Sequence, residues 1–340
     1  MRCWANEGGQ DMKHKRQMGV YALLLACVLL LCLWIWKFPV KQQKRVYKIG
    51  VCVYDLDDSF MKSMTEELEQ ALETQVSANL PVRYEVLDAN GSDNVQQKQI
   101  QYLLKQDCDV LVLNLVKADS AADSLNQARS RDIPVILFNR EPDKMDLQIG
   151  DKIWYVGTDG QAAGALQATM LREAWDSQHI DKNQNGTLDY ILIEGEQSHY
   201  DTIRRTNAFL SETGKNLPMN QLAGLSADWA RERAAEQLGT LSEQELREAE
   251  AIVCNNDDMA LGAYDFYQRK GWDSPLILGI NKTQAMQQRI DDGEIYGTVD
   301  INPSQQVHLI CQLINQMAAG TSVQQKIWYA EPLAYKTADK

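Results

Sequence analysis

From residue 47 onward, short apolar runs alternate with amphipathic stretches. The runs cover residues 49–54, 84–87, 110–113, 135–138, 190–193, 251–254 and 276–280. Each is nearly continuous in apolar residues and rich in Val and Ile, the character of strands buried on both faces of a parallel sheet. Between the runs, apolar positions recur at helical spacing: Met61, Met64, Leu68, Ala71 and Leu72 share one face. Such alternation predicts α/β architecture, with parallel sheets and right-handed crossovers. The rhythm falls into two sets, one ending near residue 155 and one running from about 189 to 301. Two open sheets predict two lobes with a cleft between them.

Ahead of this region the pattern is different. Residues 18–36 carry no charge and include Leu23, Leu24, Leu25, Val28, Leu29, Leu30, Leu31, Leu33 and Ile35. As a helix, such a run spans about 28 Å, close to the hydrocarbon thickness of a bilayer. Lys13, Lys15 and Arg16 precede it, which favours an inside N-terminus and an extracytoplasmic body. Trp34 and Trp36 stand where an aromatic belt would. A retained anchor is the favoured reading, because the run is long for a signal peptide and no small-residue cleavage motif ends it. A cleaved signal and lipid attachment at Cys27, within Leu24-Leu25-Ala26-Cys27, stay open.

Length and charge narrow the class. The 340 residues exceed one typical core and suit two lobes. Residues 1–45 hold eight basic and two acidic side chains, so residues 46–340 carry −19 of the total −13. An acidic body of this size argues against a nucleic-acid partner. Of the seven cysteines, Cys3, Cys27 and Cys32 belong to the anchor region, and Cys52, Cys108, Cys254 and Cys311 are widely spread. Cys52, Cys254 and Cys311 read as small core residues.

Open α/β sheets bind ligands beyond the carboxyl ends of their strands. Those ends are polar throughout: Tyr54 to Phe60 with Asp57 and Asp58, then Asn114, Asn139-Arg140-Glu141, Gly195-Glu196, Asn255-Asn256-Asp257 and Asn281. Amides and carboxylates after nearly every strand suit a hydroxyl-bearing ligand. Taken singly, each has a plainer reading. Asp57 and Asp58 fit a turn, the Asn255-Asn256-Asp257 run a helix cap, His199 the surface, and Trp229 and Phe60 the core. Arg205 beside Arg204 fits a solvated helix face.

A further loop, Asp181-Lys182-Asn183-Gln184-Asn185-Gly186-Thr187-Leu188-Asp189, places oxygen groups at positions 1, 3, 5 and 9 and Gly at 6. This is the spacing of a calcium loop, with the Thr187 carbonyl at position 7, but position 12 is Leu192 rather than Glu. On spacing alone, a plain Asx-rich turn remains an alternative. No zinc spacing, Walker sequence, dinucleotide fingerprint or nucleophile elbow is present, and no acid/base pair stands out.

Several stretches together carry a family likeness. They are Ile49-Gly50-Val51-Cys52-Val53-Tyr54, Asp57-Asp58-Ser59-Phe60-Met61, Asn114-Leu115-Val116, Phe138-Asn139-Arg140-Glu141-Pro142, Tyr155-Val156-Gly157-Thr158-Asp159 and Asn255-Asn256-Asp257-Asp258-Met259-Ala260. Over most of residues 47–335 the chain resembles the galactose/glucose-binding branch of the type I periplasmic sugar-binding superfamily. The resemblance implies two Rossmann-like lobes joined by a three-strand hinge, closing on a monosaccharide, without catalysis. It implies Tyr54, Asp58, Phe60 and Asn114 as ligand groups of the first lobe. From the second it implies His199, Asp201, Arg205, Trp229 and Asn256, with Asn281 where the family has an aspartate. Phe60 and Trp229 would sandwich the ring. Ile301, beside Asp300, stands where the family has an asparagine, so the sugar need not be galactose or glucose. The resemblance also supplies Glu250 as the missing ligand of a structural calcium held by Asp181, Asn183, Asn185, Thr187 and Asp189.

The expected map is a basic cytoplasmic segment at 1–17, an anchor or signal at 18–37 and a link at 38–46. Residues 47–157 with 303–322 form the N-terminal lobe, and 158–302 with 323–340 the C-terminal lobe. The binding region is expected to act as a monomer. It would deliver its sugar to an ABC-type permease; the alternative is a sensor reporting to a membrane histidine kinase or chemoreceptor.

Overall fold

In a computed structural model the described residues are 7–37, 45–76, 80–117, 121–178, 180–215 and 217–337. Cys3 and most of the expected link, 38–44, lie outside them, as do the side chains of Lys13, Cys32, Trp34 and Trp36. The chain divides into Met1–Arg45 and Val46–Lys340. The first unit is a helix, α1 (Glu7–Lys37). Its segment His14–Leu31 is long and apolar enough to cross a membrane, a test a signal sequence also passes.

The second unit carries the alternation. Its first half runs β1 (Tyr47–Val53), α2 (Ser59–Ala71), β2 (Val82–Asp88), α3 (Asp93–Lys105), β3 (Val110–Leu113), α4 (Ala121–Ser130), β4 (Val135–Phe138) and β5 (Ile153–Thr158). The chain then passes through α5 (Gly160–Gln178), β6 (Leu188–Glu194), α6 (Tyr200–Thr213), β7 (Met219–Ser226), α7 (Arg231–Leu238) and α8 (Glu243–Glu248). It continues with β8 (Ala251–Cys254), α9 (Asp257–Lys270), β9 (Leu276–Ile280), α10 (Gln284–Asp291) and β10 (Gly297–Asp300). Last come α11 (Pro303–Ala318), β11 (Ile327–Ala330) and β12 (Leu333–Lys336).

Two six-stranded sheets result, in the equivalent orders β2-β1-β3-β4-β5-β11 and β7-β6-β8-β9-β10-β12. All pairings are parallel except β12 on β10. Alternation within β1 shows why the sheet is buried on both faces. Ile49, Val51 and Val53 join Met61, Met64, Leu68, Val307, Ile310 and Ile314 on one side. Cys52 joins Ile100, Leu103, Leu111 and Leu125 on the other. The second sheet repeats this, with Met170 and Leu171 on one face and Met259, Leu261 and Met286 on the other. Cys52, Cys108, Cys254 and Cys311 are buried and unpaired, as core residues.

The chain crosses between lobes after β5, after β10 and between β11 and β12. Two crossings are tied together: the Thr158 hydroxyl donates to the Ile301 carbonyl (2.6 Å), and the Gln306 amide donates to both (3.0 and 2.9 Å). One expected boundary moves. β11 pairs with β5 in the first sheet, so the stretch from 323 to Ala330 does not belong to the second lobe, and only β12 does. Because β11 lies in the same direction as β5 and starts beyond a long helix, the local sequence does not say which sheet it joins.

Candidate functional site

In each sheet the strand order reverses direction between the first and third strands, β1/β3 and β6/β8, and there the carboxyl ends open a crevice. Both crevices contribute to one cavity, partly open to solvent, with about 40 Å³ of room for water-sized atoms. Its walls include nine of the ten expected ligand residues: Tyr54, Asp58, Phe60, His199, Asp201, Arg205, Trp229, Asn256 and Asn281.

From the first lobe, Asp58 caps α2: one carboxylate oxygen accepts the Met61 N–H (2.9 Å) and the other the Tyr54 hydroxyl. Burial and the neighbouring Asp58 push the Tyr54 phenol up, so it stays a donor. The cap starts the helix where it fixes Phe60, which is 6% exposed, in the cavity wall. The tenth expected residue, Asn114, does not line the cavity. It is wholly buried behind the wall, accepting from the Tyr54 N–H (3.2 Å) and donating to the Phe138 carbonyl (3.1 Å) and to Asn139 (3.4 Å). It therefore staples the ends of β1, β3 and β4 together. Three further wall residues, Met61, Asn139 and Arg140, were not among the expected ligand groups, although the polar strand end had marked Asn139 and Arg140. The Arg140 guanidinium lies 3.8 Å above the Tyr54 ring and donates to the Val116 carbonyl (2.7 Å). The signal for it was its place directly after a strand.

From the second lobe, His199 caps α6. Its Nδ1 accepts the Asp201 N–H (3.1 Å), which places the proton of the neutral ring on Nε2. Burial, with Arg140 and Arg205 nearby, holds its pKa down to about 2, so the ring is uncharged. Asp201 is buried, and burial raises its carboxyl against the pull of Arg205 and Arg140. The Arg205 Nη1 donates to the Asn255 carbonyl (2.8 Å). Trp229 and the preceding Asp228 both take left-handed backbone conformations (φ 69° and 46°), a costly geometry for non-glycine residues. The indole packs edge-on to His199 (5.2 Å between centroids). Its approach requires Gly195: a Cβ there would lie 2.3 Å from the indole. Asn256 caps α9 through the Met259 N–H (2.9 Å) and donates to the Trp229 carbonyl (3.0 Å). Asn281, with φ 134°, lines the cavity, and its backbone N–H donates to the Val299 carbonyl (2.8 Å). Asp300 is turned away, paired with Lys282 (3.0 Å), and Ile301 is in the core.

Three buried polar atoms of residues in this wall have no partner among the described residues: Asp201 Oδ1, Arg205 Nε and Trp229 Nε1. One is an acceptor and two are donors.

The loop at 181–189 is wound inward. Asp181 accepts the Asn185 and Gly186 N–H groups (3.1 and 2.9 Å), and Asn185 accepts that of Thr187 (2.6 Å). Asn183 donates to Asp189 (2.9 Å). Glu250, 1% exposed, reaches across to accept the N–H groups of Lys182 (2.5 Å) and Asp189 (3.0 Å). Among the described residues no three His, Cys, Asp or Glu side chains are grouped as a metal cluster. The oxygen-rich donor set itself is of the kind calcium takes.

Comparisons with known proteins bear on this architecture. A profile of the family described as "Periplasmic binding protein domain" matches residues 49–322. The D-galactose/methyl-galactoside binding periplasmic protein of Haemophilus influenzae is 30% identical over 278 residues, covering 81% of this chain and 82% of that protein. A periplasmic solute-binding protein of Actinobacillus succinogenes, solved with bound D-allose, superposes with a TM-score of 0.75 at 19% identity. That match covers 85% of this chain and 97% of that one. The fructose-binding periplasmic domain of a hybrid two-component system superposes at 0.72 with 18% identity, over 85% and 90% of the two chains.

Proposed function

The chain belongs to the periplasmic binding protein domain family, and from that premise we propose that it captures a monosaccharide outside the cytoplasm, without catalysis, by closing its two lobes. The supporting observation is one cavity whose wall joins the rings of Phe60 and Trp229 to Asp201 and Arg205, with Asp201 Oδ1, Arg205 Nε and Trp229 Nε1 buried and without a partner among the described residues. Each unsatisfied buried group costs about 1–3 kcal/mol. Vicinal hydroxyls remove that cost in one step, because each hydroxyl both donates to a carboxylate and accepts from an N–H. The apolar C–H faces of a sugar ring then lie against Phe60 and Trp229. Asn281 and Arg140 set the polar rim. Asn281 replaces an acceptor-only carboxylate with an amide, and the preferred sugar extends beyond galactose and glucose accordingly.

The test is a thermal-shift panel on the full chain with D-galactose, D-glucose, D-allose and D-fructose at millimolar concentration. Stabilisation by at least one sugar supports the reading, and no shift with any sugar rejects it. The favoured partner is an ABC-type permease. A second reading, a sensor passing occupancy to a membrane kinase or chemoreceptor, draws on α1 as a retained tether and on the likeness to a two-component periplasmic domain. Intact mass measurement of the membrane-bound protein separates an uncleaved chain from one trimmed or lipidated at Cys27.

We also propose that the 181–189 loop holds a structural calcium through Asp181, Asn183, Asn185, the Thr187 carbonyl, Asp189 and Glu250. When bound, the ion would tie the loop to β8. A chelator should lower the melting temperature, and Asp181→Ala should remove that sensitivity. An unchanged melting temperature under chelation counts against the ion.

A further inference from the structure

We infer that Arg204 is a positioning residue that seats the ligand-facing turn of α6 against the first lobe and thereby biases the lobes toward closure. The inference rests on the ligand-capture reading for its consequence only. Helix α6 moves with the second lobe, because it touches α5 backbone to backbone: a Cβ at Gly164 would lie 2.2 Å from the Arg205 carbonyl oxygen. From that helix Arg204 reaches in two directions. Its Nη2 pairs with Asp159 at the first crossing (2.7 Å), and its Nη1 lies 3.1 Å from both oxygens of Glu141. Glu141 belongs to the first lobe, following β4, and is fixed there by the Tyr329 hydroxyl of β11 (2.7 Å).

Burial makes this contact consequential. The Glu141 side chain is 1% exposed and Arg204 17%. Burial raises the Glu141 carboxyl while Tyr329 and Arg204 lower it. Arg204 is the one cation within 4.0 Å of Glu141 among the described residues. Without it, the closed state would hold a buried carboxylate with a single hydroxyl partner, and opening would let water reach it. One turn of helix thus has two tasks. Asp201 and Arg205 line the cavity, while Arg204 between them joins the lobes without lining it. A second bond across the cleft, from the Ser59 hydroxyl to Asp258 (3.0 Å), shares no residue with the first.

Hydroxyl-radical footprinting of the ligand-free full chain in detergent tests this and needs no sugar, so its failure is distinct from failure of the sugar reading. Phe60 and Met61 line the cavity from the first lobe and are 6% and 1% exposed. Arg204→Ala should raise their oxidation several-fold, while the core residues Met64, Phe138 and Phe209 stay at the wild-type rate. If those three rise as well, Glu141→Gln decides, since it keeps the shape and the Tyr329 contact; it should raise Phe60 and Met61 alone. Wild-type rates at Phe60 and Met61 in both variants, or an increase confined to Tyr200 and Tyr329, would overturn the inference.

Discussion

Replacing Gly195 by alanine tests the indole platform without touching any polar group of the site. Gly195 does not sit in the left-handed region, so alanine fits its backbone. The new Cβ would stand 2.3 Å from Cζ2 and 2.4 Å from Cε2 and Cη2 of Trp229, where ordinary contact is 3.4–4 Å. The ring must therefore withdraw by about 1 Å. Its backbone has little room to follow. Asp228 and Trp229 are both left-handed, the Trp229 carbonyl is held by Asn256, and the Ala230 N–H is held by Ala227. The indole must tilt toward His199 or into the cavity. Overpacking of this kind costs about 1–3 kcal/mol, and about 1.4 kcal/mol is tenfold in affinity. Where the ring relieves that strain by entering the cavity, a ligand must push it back at the same cost, so Gly195→Ala should weaken binding by up to roughly 5- to 150-fold. Isothermal titration with a sugar that stabilises the wild type is the assay, with thermal unfolding as the control. Affinity within twofold of wild type would refute the placement of Trp229 against the ligand.

Two other predictions follow from the same geometry. Asn114→Ala leaves the Tyr54 N–H unpaired, while the Phe138 carbonyl keeps the Arg140 N–H, and should lower stability by about 1–3 kcal/mol, measured by denaturant unfolding. Lost affinity at unchanged stability would instead mark Asn114 as a ligand group. For His199, the folded pKa of about 2 lies below the ordinary 6.5. Above pH 6.5 both states are neutral and stability is full. As pH falls toward 2, the unfolded chain takes a proton that the buried ring refuses, so stability drops by about 1.36 kcal/mol per unit. Asp257, raised by burial to about 7, acts in the opposite sense over much of that range. The difference between wild type and His199→Asn isolates the histidine: it should shrink the loss between pH 7 and 5, and identical slopes would contradict the buried neutral ring.

The apolar runs revealed most strands that are buried on both faces, such as Val110–Leu113 and Ala251–Cys254. They did not reveal β5, β7, β10, β11 or β12. Gly and Thr interrupt the apolar character of β5 and β10, although both are largely buried. The strands β7, β11 and β12 are partly exposed, carry polar or mixed side chains such as those of Met219–Ser226, and take their pairing from the sheet rather than from their own sequence. Site residues were legible where a strand end or a family motif marked them. Asn114 was legible as a polar residue at a strand end, but its orientation depends on where β4 ends beside it. Arg204 entered the sequence reading only as the neighbour of Arg205, because its partner Glu141 lies 63 residues away in the chain. Nothing local to Asp228 and Trp229 announces two successive left-handed residues, and that backbone is what aims the indole.

A crystal structure of the chain with a stabilising sugar is the most direct measurement of the central claim. The account predicts the ring lying between Phe60 and Trp229, with hydroxyls bonded to Asp201 Oδ1 and Arg205 Nε. A sugar bound elsewhere, or one in this cavity that leaves both atoms unbonded, would contradict it.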